Sequence, residues 1–391
     1  MPAEVTVTGF GVRTAFGTGA DALRRGVFAG VPAFAPTTRF DTGPYRTPMA
    51  AAAPDGIGAV RDWALRHALA DSGAEALDHA GLGPGTEAAV LMGVAGDHTS
   101  VTRYWRPSPG AAVRGDTPLS DAVPARLTES LCTGLGLKGP RLTFSNACVA
   151  SAAAIIHGCR LIASGRTDVA ICAGGYLVEE ETFGKFDSGR ALSRDGAVRP
   201  FSADRTGLLL GDGVAVVVLE SAEHARRRGA QALASVLGWG TATDAHHIAQ
   251  PHPEGAGLAR AARQAARLAG DPDGATIGYV NAHGTGTKYN DGAETRGLRA
   301  AFPEHIESIP VSSTKSTTGH LLEAAGVVEF VITLLALTDG VLPPTAGFTR
   351  PDPECDLDHV PNRPRHTDLR RALTVNAAFG GANTALLLER P

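Results

Sequence analysis

Short apolar runs, each stopping at a glycine or a turn, alternate with helix-patterned segments along most of the chain. Val5–Val12, Ala88–Val94, Arg141–Phe144, Val169–Gly175 and Gly213–Glu220 read as buried strands. A strand that is apolar on both faces needs cover on both, and intervening helices supply it. One helical pattern runs from Ala59 to Ala80, with Gly73 as its weak point, and another from Val149 to Ser164. The polar, aromatic stretch Gly96–Pro118 reads as a surface or interface excursion. Near Ala232 the pattern restarts: a strand at Ala234–Leu237, a helix over Gly257–Ala269 and a strand at Ile277–Asn281. A helix after Asp291, a strand at Ser308–Val311, a helix at Leu321–Leu337 and closing strands at Leu373–Asn376 and Ala385–Leu388 complete it. The order implies a duplicated α/β architecture, divided into residues 1–231 and 232–391, although no sequence repeat marks it.

With 391 residues and 43% hydrophobic content, the chain has ample material for a large core. A net charge of −4 gives no electrostatic case for nucleic acid. No apolar run approaches the roughly 18 residues of a membrane span, and the first residues lack a signal-peptide pattern. Cys132, Cys148, Cys159, Cys172 and Cys355 are an odd, scattered set, neither a disulfide framework nor a zinc site. Reduced thiols in a cytoplasmic protein are the expectation.

Three short segments carry chemistry. Ser145-Asn146-Ala147-Cys148 joins a strand to a helix. There the positive helix end should lower the thiol pKa, and the Cys148 N–H could face an oxyanion. A core cysteine beneath a helix start is the competing reading. Asn281-Ala282-His283-Gly284-Thr285-Gly286-Thr287 ends a buried strand in a loop suited to a slender polar substrate arm. Ser313-Thr314-Lys315-Ser316-Thr317-Thr318-Gly319-His320 leads into a helix whose N-terminus should hold His320 neutral. Lysine is scarce, occurring only at 138, 185, 288 and 315. If Lys315 pairs with Glu329 on the following helix, its ammonium is fixed near both imidazoles; otherwise the two form an ordinary surface pair. His246, His247 and His252 have turn-like flanks and read as no metal cluster.

Together these residues resemble a β-ketoacyl-acyl-carrier-protein synthase of the thiolase superfamily, KAS II type, which includes type II polyketide ketosynthase subunits. The resemblance begins at Val7-Thr8-Gly9-Phe10-Gly11 and passes through Cys148, Ala173-Gly174-Gly175, Arg199-Pro200-Phe201-Ser202 and Gly211-Asp212-Gly213. The histidine and lysine segments, Leu342-Pro343-Pro344-Thr345, Pro351–Cys355 and Asn376–Asn383 follow in order. It implies a thiolase-like fold of two pseudo-duplicated βαβ-rich halves in α-β-α-β-α layers. Cys148 would take an acyl group from a carrier-protein or CoA thioester. His283 and His320 would promote decarboxylation of a malonyl-type extender, with Lys315 and Glu329 organising them. The N–H groups of Cys148 and Ala377 would form the oxyanion hole. Thr285, Thr287, Leu208, Phe379 and Gly380 would line the acyl and pantetheine path. No metal or other cofactor is implied beyond the carrier's phosphopantetheine arm. The partners implied are an acyl carrier protein and a second subunit, identical or a chain-length-factor homologue.

Departures from the family pattern bear on the substrate. Ala377 stands where a bulky gating Phe is usual, and Arg205-Thr206-Gly207-Leu208 replaces a stretch with another ring and charge. Asn146 and Val149 flank the cysteine unusually. The basic carrier-docking segment is reduced to Arg61 and Arg66. These features suggest specialised biosynthesis with an unusual acyl or aryl group. The alternatives are a silent chain-length partner, opposed by Cys148; a non-elongating acyltransferase, opposed by His320 and Lys315; and a biosynthetic thiolase.

Overall fold

The computed structural model describes residues 3–52, 64–99, 101–102 and 118–391. Two sets of five strands share one connection pattern. The first set is β1 (Val5–Thr14), β2 (Ala89–Gly93), β3 (Arg141–Phe144), β4 (Val169–Tyr176) and β5 (Gly213–Ser221). The second is β6 (Ala234–Thr243), β7 (Val280–Asn281), β8 (Val311–Ser312), β9 (Arg371–Ala377) and β10 (Ala382–Glu389). Their spatial orders are β3-β2-β4-β5-β1 and β8-β7-β9-β10-β6. In each set the second and third strands, and the second and fourth, pair in parallel. The fourth and fifth, and the fifth and first, pair antiparallel. A short antiparallel contact of Val5–Val7 with Ala234–Val236 joins the two sets.

The helices are α1 (Leu65–Ala80), α2 (Pro124–Gly134), α3 (Ala150–Ala163), α4 (Glu180–Ser188), α5 (Ala256–Leu268), α6 (Lys288–Ala301) and α7 (Ala325–Asp339). α3 and α7 pack together between the two sets of strands. α1 and α2 cover one outer face, and α5 and α6 the other, giving α-β-α-β-α layers. α7 is buried at every position from Ala325 to Leu337, as a middle-layer helix must be. Its Gly326 lies where a Cβ would come within 2.6 Å of the Ala152 backbone nitrogen, so only glycine permits this α3–α7 crossing. At the end of β2, a Cβ on Gly93 would sit 2.1 Å from the Ser151 nitrogen. That close approach seats the start of α3 directly on the sheet.

Several boundaries differ from the sequence expectation. The Ala59–Ala80 pattern is a helix from Leu65 onward, its earlier part lying outside the described residues. Most of the Gly96–Pro118 stretch also lies outside them. β7 and β8 are two residues each, because a 3-10 turn at Ile306–Ser308 and loop contacts occupy the flanking apolar residues. The helix expected after Asp291 begins at Lys288, and Asp291 is buried inside it.

Candidate active site

Cys148 sits in a 3-10 turn, Ala147–Val149, between β3 and α3. Ala147 holds φ at 53°, a left-handed conformation that costs a non-glycine residue about 1–2 kcal/mol and bends the chain so the thiol turns inward. Cys148 is 5% exposed. Burial pushes its thiol up to about 12, with Glu323 adding to the rise and Lys315 opposing it. The expected lowering by the helix end is therefore overturned: desolvation of the thiolate outweighs the dipole.

His320 Nε2 lies 3.1 Å from Cys148 Sγ. The His320 backbone pairs with a neighbouring segment: its N–H donates to Leu209 O at 2.7 Å, and its carbonyl accepts from Gly211 N–H at 3.1 Å. It does not open a helix, since α7 starts only at Ala325 after a 3-10 turn at Leu322–Ala324. The imidazole is held well below its usual pKa by burial and then by Lys315, so the neutrality expected of it has a different cause.

The His283 ring faces that of His320 edge-on, with centroids 5.3 Å apart. Burial, then Lys315 and His320, hold His283 well below its usual pKa. Two carboxylates from α6 fix its loop. Glu294 accepts the N–H groups of His283 and Gly284 at 2.6 and 2.7 Å, and Asp291 accepts those of Thr285 and Gly286 at 3.1 and 3.2 Å. Burial raises Glu294 to about 7, against the pull of the two N–H groups. Neither carboxylate was singled out in the sequence, although their spacing of three on one helix face is the signal that could have found them.

Lys315 and Glu329 form a fully buried ion pair. Asn376 Nδ2 donates to the other carboxylate oxygen of Glu329 at 2.5 Å, and Asn281 Nδ2 donates to the Glu329 carbonyl at 3.3 Å. The surface-pair reading of Lys315 is thus excluded. Both ring Nδ1 atoms, of His283 and His320, lack a hydrogen-bond partner among the described residues.

Around this centre the remaining candidates occupy different positions. Thr285 is buried and Thr287 half-buried, their hydroxyls 2.8 Å apart. Ala377 is half-buried at the end of β9, beside the Cys148 turn. Phe379 is 51% exposed and stacks on Phe186 of α4 at 5.7 Å, and Phe186 in turn meets His320 edge-on at 6.5 Å. Aromatic cover beside His320 thus comes from Phe186 and Phe379. Gly380 N–H is taken by Ile248 O. Leu208 packs within the core, with its N–H and C=O bonded to Ala191 and Ser193, two residues from the Leu210 that pairs with His320. Of the docking arginines, Arg61 lies outside the described residues, and Arg66 is paired with buried Asp121 at 2.6 Å. His247 and His252 accept backbone N–H groups of their own turns through Nδ1.

Two family models match the chain: the N-terminal domain of β-ketoacyl synthase over residues 3–225 and its C-terminal domain over 233–349. The chain is 35% identical to the tetracenomycin polyketide synthase ketoacyl synthase alpha subunit of Streptomyces glaucescens, across 99% of this chain and 97% of that one. It is 33% identical to a 3-oxoacyl-[acyl-carrier-protein] synthase 2 of Coxiella burnetii, across 99% and 98%. Among solved structures, the ishigamide ketosynthase/chain length factor superposes over the full length of both chains with a TM-score of 0.89 and 31% identity. With a nucleophile, two neutral imidazoles and a buried lysine in one centre, and matches spanning both halves, the chain belongs to the β-ketoacyl synthase family.

Proposed function

We propose that this chain catalyses decarboxylative Claisen condensation between an acyl group held on Cys148 and a malonyl-type carrier-protein thioester. The observation that carries the reading is the convergence of Cys148, His320 and His283 on one buried centre. As Cys148 attacks the incoming thioester, its proton passes to His320 Nε2. The new Sγ–C bond forms, the carrier's C–S bond breaks, and the carrier leaves as a thiol with that proton. In the second half-reaction the malonyl C–CO2 bond breaks and its electrons enter an enolate. The imidazole N–H of His283, neutral at working pH, donates to that enolate oxygen, and neutral His320 joins it once its proton has moved from Nδ1 to Nε2. The enolate carbon attacks the acyl carbonyl, the Sγ–C bond breaks, and the thiolate regains a proton from solvent.

Lys315 and Glu329 act as positioning residues, fixing an electropositive group that keeps both imidazoles neutral. The Cys148 N–H serves as one oxyanion donor. The second is the N–H of Ala377, at the end of β9, or of Phe379 in the turn that follows, where Ala378, Gly380 and Gly381 already donate to Ala382 O, Ile248 O and Ala378 O. Thr285 and Thr287 receive the pantetheine arm, and Phe379, Gly380 and Leu208 belong to the wall of its path. The chemistry needs no metal or further cofactor. The halves 1–231 and 232–391 divide the work, the nucleophile on one and the histidines and lysine on the other; the repeated strand order supports that division. β3 is the outer strand of its set, with half-buried Leu142 and Phe144, which supports a subunit partner along that edge. The partner is a second copy or a chain-length-factor homologue, and an acyl carrier protein delivers both substrates. No helix among the described residues is long and apolar enough to cross a membrane, and all five cysteines are free, which supports a cytoplasmic setting.

The test is incubation with an acyl carrier and malonyl carrier protein, following protein mass and CO2. Acylation at Cys148 with CO2 release and a two-carbon longer product is expected, and Cys148→Ala should abolish acylation. Acylation without decarboxylation would leave only the non-elongating acyltransferase.

A further inference from the structure

A charged groove runs along the edge of β6, outside the acyl site. β6 pairs with β10 from Ser235 to Thr243 but with β1 only from Ala234 to Val236. Beyond Val236 its second edge therefore has no strand partner among the described residues. α5 lies directly on this strand: a Cβ on Gly238 would come within 2.0 Å of Ala265 O, and one on Gly240 within 1.9 Å of Ala261 O. With Ala261 and Ala265 against the sheet, Arg260, Arg263, Gln264 and Arg267 fall along one flank of the helix at helical spacing. Together with Thr241, Ala242 and Thr243 they line a groove of about 580 Å³.

Two of these side chains close the open edge. Gln264 Oε1 accepts the Thr241 N–H at 2.9 Å, and Arg260 Nη2 donates to Thr243 O at 2.5 Å. The remaining charge has no such use. Arg263 Nε donates only within its own helix, to Ala259 O at 3.3 Å, and Arg160 at the end of α3 reaches Thr241 Oγ1 at 3.4 Å. No carboxylate lines the groove, and among the described residues none of the four guanidiniums is in an ion pair. Like charges three and four positions apart on a helix repel, so the stripe Arg260, Arg263, Arg267 is relieved by an anion. Guanidinium forks match phosphate oxygens in pairs. Arg260 and Arg267 leave the helix roughly 10 Å apart along its axis, more than one phosphate spans. The volume is that of a small-molecule site.

We propose that this groove binds a small anion carrying two phosphate groups, held by Arg263 and Arg267 with Arg260 and Arg160 at its ends. The test is calorimetric titration of the whole protein, at physiological ionic strength, with inorganic phosphate, pyrophosphate and adenosine 3′,5′-bisphosphate. At least one of the two doubly phosphorylated probes should bind tenfold or more tighter than phosphate, and the tighter of them tells an inorganic from a nucleotide source. Arg263→Gln with Arg267→Gln should weaken that binding at least tenfold, and Arg160→Gln, on another helix, should weaken it less. Arg126→Gln with Arg227→Gln makes the same charge change at exposed positions elsewhere and should leave it unchanged. Circular dichroism checks that each variant folds. Binding of neither probe would overturn the proposal, as would full-strength binding in the Arg263/Arg267 variant or equal weakening in the Arg126/Arg227 variant. If neither probe binds and the Arg263/Arg267 variant instead loses affinity for acyl carrier protein, the groove is a protein-docking face and the proposal falls.

Discussion

At Cys148 two effects oppose one another: the start of α3 favours thiolate, and burial favours thiol. Burial prevails, with the thiol near 12. Because the pKa is raised, the thiolate fraction grows about tenfold per pH unit across the neutral range and has no plateau there. Iodoacetamide labelling of Cys148 should therefore rise log-linearly from pH 7 to 10; a plateau with a midpoint below 8 would contradict the balance. Lys315 behaves differently, because its partner is as buried as itself. Lys315→Met leaves Glu329 uncompensated and should cost about 3–5 kcal/mol, read as a lowered denaturation midpoint. Adding Glu329→Gln should recover much of that loss. His283, His320 and Lys315 were legible because each stands in an unusual glycine and threonine frame, and Cys148 because it joins a strand to a helix. Their ionisation was not, since desolvation comes from segments far away in the chain, such as Leu209 and Phe186.

Strand and helix periodicity found most elements to within a few residues, because buried runs such as Val169–Gly175 admit few alternatives. It failed where a tertiary partner captured the backbone. Leu321–Leu337 reads as one apolar helix continuous with His320, yet Leu209 and Gly211 bind the His320 backbone and delay α7 to Ala325. The capture fixes His320 more firmly than a helix end would. Gly93 is an equally specific control point, seating α3 and with it the Cys148 turn. Gly93→Val should shift that turn, lower stability by about 1–3 kcal/mol or more, and reduce Cys148 acylation at least tenfold. Near-normal acylation in a folded Gly93→Val variant, checked by intact mass and circular dichroism, would show that this contact does not set the thiol.

For the whole molecule, the duplicated strand order explains how residues more than a hundred positions apart meet. Cys148 follows the parallel strand β3 of one set, and His283 and His320 follow the parallel strands β7 and β8 of the other. That meeting requires acyl transfer and decarboxylation to occur in one place, as coupled events. A single-turnover reaction between enzyme pre-acylated at Cys148 and malonyl carrier protein tests this most directly. The acyl mass should leave the enzyme one-for-one with CO2, while the carrier gains the acyl group extended by two carbons. Loss of the acyl group as free acid, or its transfer to carrier without CO2, would contradict a shared centre.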